Sequence, residues 1–154
     1  MSASADLSSL VIRELTVDEF PQILPLIAQH NSKLDPAELQ RRLQSMIPRD
    51  YHCIAAFLED RMVGVAGYWI STRFYSGEYM DVDNVFVLPE LRSHGIGWRM
   101  MDWLHEKAQE LRCKVVMLDS YTSYVDAHRF YLRMGYEILG YHFIKRLPES
   151  PQPA

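Results

Sequence analysis

The chain has 154 residues, with 16 Lys or Arg against 20 Asp or Glu, which gives a formal charge of −4. A chain of this length forms one domain and buries roughly 70% of the surface that its unfolded form exposes. The acidic balance argues against a protein that binds nucleic acid, because such proteins normally present a basic face. It is compatible with a small cationic partner.

Neither the start of the chain nor any apolar run predicts export or membrane insertion. Residues 1–9 lack the basic and apolar stretches of a secretory signal, and no apolar run reaches the roughly 18 residues of a membrane span. Cys53 and Cys113 lie far apart in apolar runs, which predicts two reduced core thiols. We therefore expect a cytoplasmic protein without a membrane partner. Its single domain should span residues 10–147, with flexible tails at 1–9 and 148–154.

The first half of the chain predicts a strand, two helices and a hairpin. Residues 10–15 form a short apolar strand, and Thr16 and Glu19 then have the spacing of a capping box that opens a helix. Asp35-Pro36 opens a second helix, which should end by residues 46–48. Three β-rich runs follow, at residues 51–58, 62–70 and 79–87, and a polar turn separates the first two.

The second half predicts two more helices and two more strands. Residues 96–111 have apolar side chains at helical spacing, and residues 114–118 form a short strand. A further helix should end at Gly135, and residues 136–147 should form a long final strand. A strand, a helix and a strand of this length make a right-handed crossover, so strands 79–87 and 114–118 should be parallel. The predicted fold class is α/β, with a mixed sheet and helices on both faces.

The most informative stretch joins strand 79–87 to the helix that follows, and its centre reads Gly95-Ile96-Gly97. Glycine lets a ligand approach the backbone closely, and the first N–H groups of a helix favour an anion such as phosphate. A Walker loop is excluded because Gly-Lys-Ser/Thr is absent, and a dinucleotide fingerprint because Met100 occupies the place of its third small residue. By itself the stretch predicts either a phosphate site or a purely structural turn.

Two motifs together resemble a known family. Residues 92–97, Arg-Ser-His-Gly-Ile-Gly, are similar to the Arg/Gln-x-x-Gly-x-Gly/Ala signature of the GNAT superfamily of acetyl-CoA-dependent N-acetyltransferases. Residues 127–136 resemble the Ala-x-x-Phe-Tyr-x-x-x-Gly-Phe segment of the same family. The two motifs occur in the right order, and the predicted elements fit the family over residues 10–147. The resemblance implies a mostly antiparallel mixed sheet whose central parallel strand pair is splayed.

The resemblance also implies a binding site for acetyl-CoA as co-substrate, with no metal. The residues expected to hold its pyrophosphate are Arg92, Ser93, His94, Gly95, Ile96, Gly97 and Trp98. The strand residues expected to pair through their backbone with its pantetheine arm are Val85, Phe86 and Val87. Tyr124 departs from the family, which often has an asparagine at this position, so that one contact is lost or supplied otherwise.

The implied reaction is direct attack of a substrate amine, which must first lose a proton. By alternation, Asp81 and Asp83 lie on one face of their strand, together with Val85 and Val87. Asp83 is the first candidate for the base and Asp81 the second. The alternative is that both aspartates merely occupy an exposed strand end. Candidates for lining an amine pocket are Glu78, Tyr68, Trp69, Phe74, Tyr75 and Tyr79.

Tyr131 corresponds to the tyrosine that the family uses as general acid toward the CoA thiolate, the alternative being a packing role at the rim of the core. The expected activity is N-acetylation of a small-molecule amine, polyamine-like or other, or of a peptide amine. Two alternatives remain open: a non-catalytic CoA-binding domain, and transfer of another acyl group. The histidines show no metal-ligand spacing. A homodimer is compatible with the family, although no sequence feature requires one.

Overall fold

A computed structural model describes residues 7–148. The outer parts of the predicted tails, residues 1–6 and 149–154, lie outside the described residues. The chain divides after Leu118 into two units.

Residues 7–118 contain three α-helices and a five-stranded sheet. The helices are α1 (Leu24–His30), α2 (Pro36–Met46) and α3 (Ile96–Glu110). The strands are β1 (Leu10–Glu14), β2 (His52–Leu58), β3 (Arg61–Arg73), β4 (Gly77–Val87) and β5 (Val115–Leu118). The sheet order is β1-β2-β3-β4-β5, in which only β4 and β5 are parallel. The predicted mixed sheet with a parallel crossover through α3 is therefore confirmed.

Two glycines of β3 show that helices cover both faces of this sheet. A Cβ on Gly64 would lie 2.8 Å from the sulfur of Met100, which belongs to α3. A Cβ on Gly67 would lie 2.5 Å from the hydroxyl of Tyr51, whose ring packs against Phe20 beside α1. Because successive side chains of a strand point to opposite faces, Gly64 and Gly67 face opposite sides. One face therefore packs on α3, and the other on α1 and the segment before it.

The predicted helix starts are confirmed, with one difference in helix type. The Thr16 N–H donates to the Glu19 carboxylate at 2.9 Å, as a capping box requires. The turn that follows is nevertheless a 3₁₀ helix, Val17–Ile23, because Pro21 has no N–H with which to continue an α-helical ladder. Asp35 accepts the Glu38 N–H at 2.9 Å and caps α2 as predicted.

Residues 119–148 contain one helix, α4 (Val125–Arg133). It ends in a Schellman motif, in which Gly135 has φ 89° and the Tyr136 N–H donates to the Tyr131 carbonyl at 3.1 Å. The predicted helix and its terminal glycine are confirmed. The prediction of a strand over residues 136–147 is wrong, since none of these residues is in a strand. Its apolar and aromatic residues favour a strand, but a strand also needs a hydrogen-bonded neighbour, which sequence pattern does not supply.

Both cysteines are free thiols, as predicted. Cys53 is buried, and burial raises the pKa of its thiol to about 12. Cys113 is only partly buried and so is not the core residue that was predicted. Over residues 7–148, every helix is too short or too polar to cross a lipid bilayer.

Replacing Gly67 with alanine should destabilise the protein by about 1–3 kcal/mol, because the new methyl group would overlap the Tyr51 ring. That ring cannot easily move, since it is buried and held 5.5 Å from Phe20 and 5.0 Å from Trp69, measured between centroids. Urea unfolding measures the effect. Gly140→Ala is the control, because nothing lies within 4 Å of its added Cβ, and its unfolding free energy should change by less than about 0.5 kcal/mol. A Gly67→Ala midpoint equal to that of the control would contradict the packing argument.

Candidate functional site

The loop between β4 and α3 has the backbone shape of an anion site. Ser93 and Gly95 both have positive φ, 64° and 89°, and Gly95 is the N-cap of α3. The first α-helical hydrogen bond runs from the Arg99 N–H to the Gly95 carbonyl at 3.1 Å. The N–H groups of Ile96 and Gly97 precede that bond, so they have no acceptor within the helix. The positive end of the helix dipole adds to their attraction for an anion.

Arg92 ties this loop to the end of β4. Its Nε donates to the Val87 carbonyl at 3.1 Å, and its guanidinium carbon lies 5.4 Å from the centre of the Phe86 ring. His94 contacts the Arg92 carbonyl through Nδ1 at 2.8 Å. A Cβ on Gly95 would meet nothing within 4 Å, so a ligand can reach the loop backbone from that side. A phosphate or pyrophosphate fits this arrangement of amides, guanidinium and open space.

The strand before the loop, β4, is hydrogen-bonded to β5 only in its first half. Among the described residues, β5 pairs with β4 from Tyr79 to Val82 and no further. Residues 83–87 therefore lie beyond the parallel pairing, as the predicted splay requires. The predicted backbone-binding residues Val85, Phe86 and Val87 belong to this section. An extended ligand arm could add to it in the manner of a strand.

A β-bulge interrupts β4 within the same section. Gly67 of β3 pairs with Asp83, and Val65 of β3 pairs with Phe86. The two residues of β3 are two positions apart, whereas their partners on β4 are three positions apart. The strand β4 therefore contains one extra residue, and Asn84 has φ 50° in this bulge. Asn is among the few residues that adopt this conformation readily.

The bulge corrects one prediction about the faces of β4. Asp81 and Asp83 share a face, as alternation predicts, because they pair with Trp69 and Gly67. Val85 and Val87 were expected on that face as well, and this was wrong. The extra residue shifts the alternation, so that Phe86 shares the face of Asp83. The acidic pair therefore lies beside an aromatic ring.

Two aromatic rings lie on the face of the sheet that carries the acidic pair. Tyr51 packs over Gly67, the residue paired with Asp83, and Trp69 lies opposite Asp81, with 5.0 Å between the Tyr51 and Trp69 ring centres. Asp83 is exposed and Asp81 is half-buried. Aromatic faces and carboxylates are the groups that attract an ammonium ion.

The Asp83 carboxylate is held by the residue that follows it. Oδ1 accepts the Asn84 N–H and Oδ2 accepts its Nδ2, both at 2.8 Å. Both oxygens of the carboxylate therefore have a donor within the chain. The residue that forms the bulge thus also fixes the orientation of Asp83.

His30, at the end of α1, joins this site although sequence reasoning gave it no role. Its imidazole lies 5.6 Å from the Phe86 ring, measured between centroids. Partial desolvation lowers the pKa of this imidazole below 6.5, the negative charge of Asp83 opposes that change, and the positive charge of Arg92 adds to it. No local motif marks His30, because it lies far from β4 in the sequence and approaches it only through packing.

The aromatic residues predicted for an amine pocket are divided by the fold. Trp69 and Tyr79 lie on the face of the acidic pair, although the Tyr79 hydroxyl accepts from Arg73 Nε at 2.9 Å. Tyr68 points to the other face, and its hydroxyl donates to Glu14 at 2.7 Å. The other aromatic candidates, Phe74 and Tyr75, are exposed at the turn between β3 and β4. Within residues 7–148, no three His, Cys, Asp or Glu side chains form a group that could hold a metal ion.

Tyr131 lies on α4, in the second part of the chain. Its ring is half-buried and contacts Phe130 and Tyr136, with centroid distances of 5.2 and 5.6 Å. Burial raises the pKa of its phenol to about 12. The hydroxyl therefore keeps its proton throughout the physiological pH range and can act as a donor.

Comparison with known sequences gives matches over most of the chain. The profile of the acetyltransferase (GNAT) family matches residues 11–136. An uncharacterized N-acetyltransferase, YhdJ, of Bacillus subtilis (strain 168) is 25% identical over 130 residues, covering 83% of this chain and 92% of that protein. Aminoalkylphosphonate N-acetyltransferase of Salmonella typhimurium (strain LT2) is 26% identical over 104 residues, covering 67% of this chain and 68% of that protein.

Comparison with solved structures confirms the fold. AAC(6')-Iy, in complex with the bisubstrate analog CoA-S-monomethyl-acetylneamine, superposes with a TM-score of 0.80 at 14% sequence identity, covering 92% of this chain and 99% of that one. A ribosomal-protein-alanine N-acetyltransferase from Brucella melitensis biovar Abortus 2308 superposes with a TM-score of 0.76 at 20% sequence identity, covering 90% of this chain and 99% of that one.

Proposed function

Because this chain belongs to the acetyltransferase (GNAT) family, we propose that it transfers the acetyl group of acetyl-CoA to a primary amine of a small molecule or peptide. One observation carries the proposal. The same strand, β4, leads into an anion-binding loop at its end and presents an acidic, aromatic face just before that loop. A cofactor rich in phosphate and a cationic amine would thus meet along one strand.

The residues of the loop and of β4 suit the cofactor. The amides from Ser93 to Trp98 and the Arg92 side chain would hold its pyrophosphate, and the backbone of Val85, Phe86 and Val87 would hold its pantetheine arm. When bound, acetyl-CoA supplies an acetyl group activated as a thioester. No metal is required for this chemistry.

The acidic face suits the amine. An alkylamine resembles the Lys side chain, whose pKa is about 10.4, so it arrives as an ammonium ion and must lose a proton before it can react. Asp83 is our first candidate for drawing that proton away, and Asp81 is the second. Trp69, which is half-buried, would hold the cation by contact with its ring face. Tyr131 would donate a proton to the departing sulfur.

The named relatives guide the choice of substrates. One is an aminoalkylphosphonate N-acetyltransferase, and the AAC(6')-Iy complex contains an analog derived from an acetylated neamine. Both names point to small-molecule amines. We therefore place polyamines, aminoglycosides and aminoalkylphosphonates first among the substrates to be tested, followed by amino acids and lysine peptides.

The deciding experiment measures CoA release from acetyl-CoA over this panel of amines, with mass spectrometry of the products. We expect amine-dependent release with at least one class, and a product heavier by one acetyl group. Binding of acetyl-CoA without release on any amine would overturn the enzymatic proposal and favour a non-catalytic CoA-binding domain. Faster release from a longer acyl-CoA would instead overturn the choice of acetyl group.

Gly95→Val should weaken CoA binding about tenfold or more. A β-branched residue at φ 89° costs about 1–2 kcal/mol, and relief of that strain would distort the amides that face the anion. Titration calorimetry with CoA measures the loss. Gly77→Val is the matched control, because Gly77 also has positive φ, 69°, but lies at the turn between β3 and β4. Equal dissociation constants for Gly95→Val and the control would contradict the assignment of the loop.

Tyr131→Phe should lower kcat about 100-fold while changing the dissociation constant of acetyl-CoA little, because only the proton donor is removed. Tyr136→Phe is the control: this neighbouring ring is also partly buried, and burial raises the pKa of its phenol too. Steady-state kinetics and acetyl-CoA titrations on both variants make the comparison. A Tyr131→Phe enzyme with wild-type kcat would remove the proposed role.

A further inference from the structure

His30 and Arg92 both pack against the ring of Phe86, which shares its face of β4 with Asp83. The His30 imidazole lies 5.6 Å from the ring centre, and the Arg92 guanidinium lies 5.4 Å from it. Asp83 lies on the same face of β4, on the other side of the bulge residue. His30 therefore brings an imidazole of α1 to the same aromatic ring that Arg92 of the anion-binding loop contacts.

The charged groups that act on the His30 imidazole are Asp83 of β4 and Arg92 of the loop. The charge of Asp83 raises the pKa of the imidazole, and the charge of Arg92 lowers it. Partial desolvation also lowers this pKa and outweighs the effect of Asp83, so the imidazole is neutral at physiological pH. A neutral imidazole has a nitrogen lone pair that can accept a proton. The side chain is also exposed to solvent, so a proton that it accepts can leave.

Both carboxylate oxygens of Asp83 already accept a hydrogen bond. Asn84 donates to them through its N–H and its Nδ2, at 2.8 Å each. A carboxylate held in this way attracts an ammonium ion well, yet a more basic group must take the proton away. Histidine, whose ordinary pKa is about 6.5, is closer to the operating pH of such a reaction.

We propose that His30 is the terminal proton acceptor of the acetyl-transfer reaction, taking the proton that Asp83 draws from the ammonium group of the substrate. The proton passes from the amine nitrogen to a ring nitrogen of His30, directly or through the Asp83 carboxylate, and then to solvent. One proton is released for each amide formed, and the amine keeps the electron pair that it needs for attack. This role rests on the proposed acetyltransferase function.

The kinetic test compares His30→Gln with wild type from pH 5.5 to 9. We expect kcat to fall about 100-fold near pH 7 with an unchanged affinity for acetyl-CoA. In wild type, kcat/KM should fall as the pH drops through the His30 pKa below 6.5, because the imidazolium has no lone pair to offer. The variant should lose that inflection, and its deficit should shrink as the pH approaches the pKa of the amine.

The matched control is His105→Gln. His105 lies on α3, outside the proposed binding and catalytic residues, and desolvation lowers the pKa of its imidazole in the same way. Its kinetics should equal those of wild type. Thermal unfolding of both variants separates a loss of folding from a loss of chemistry. Free imidazole added to His30→Ala should restore part of the rate.

A second measurement needs no turnover. Titration of the His30 ring by NMR should show its pKa falling further in Asp83→Asn, because the carboxylate that opposes the shift is removed. An unchanged His30 pKa in that variant would overturn the relay, as would a His30→Gln enzyme with wild-type rates and pH profile. If wild type releases no CoA with any amine, the proposed function itself fails, which is a different outcome from a His30 variant that matches an active wild type.

Discussion

The extra residue in β4 is the constraint on which the site depends. Without a bulge at Asn84, Phe86 would point away from the face of Asp83, and His30 and Arg92 would lose the ring against which both pack. Asn84 can occupy the bulge because its short polar side chain tolerates φ 50°. The same side chain also donates to Asp83. One residue thus sets the local backbone, the order of side chains along the face and the orientation of a carboxylate.

The bulge also accounts for the way two ligands of opposite charge could use one strand. Bulges bend a strand and increase its twist, and the pairing of β4 with β5 ends at Val82, immediately before this one. Beyond that point the backbone of β4 is available to an extended ligand, while its side chains form the acidic face. The overall charge of −4 is no obstacle to an anionic cofactor, because backbone N–H groups and Arg92 would meet it.

Local signals in the sequence predicted local structure well. The Thr16 capping box, the Asp35 N-cap and the terminal glycine at position 135 each depend on neighbours within a few residues, and each is present. The glycine loop before α3 could also be predicted, since its shape follows from where a strand ends and a helix begins. The strand expected over residues 136–147 is different, because its existence depends on a partner rather than on its own composition.

The order of side chains along β4 could not be predicted, because alternation assumes that no residue is inserted. An asparagine in a strand is a weak sign of a bulge, and here it was the only local one. His30 had no sign at all. Its place against the Phe86 ring depends on the length and direction of α1, which are set by packing on the sheet.

In the proposed mechanism, the position of His30 between charges of opposite sign links proton transfer to the anion site. The positive charge of Arg92 lowers the pKa of the imidazole, whereas the negative charge of Asp83 raises it. An anion held at the loop would offset the charge of Arg92, so the pKa of His30 would rise and its affinity for a proton would increase. An ammonium ion beside Asp83 would have the opposite effect until it gives up its proton. Binding of an anion at the loop would therefore strengthen the proton acceptor before the amine gives up its proton, which is the step that must precede acetyl transfer.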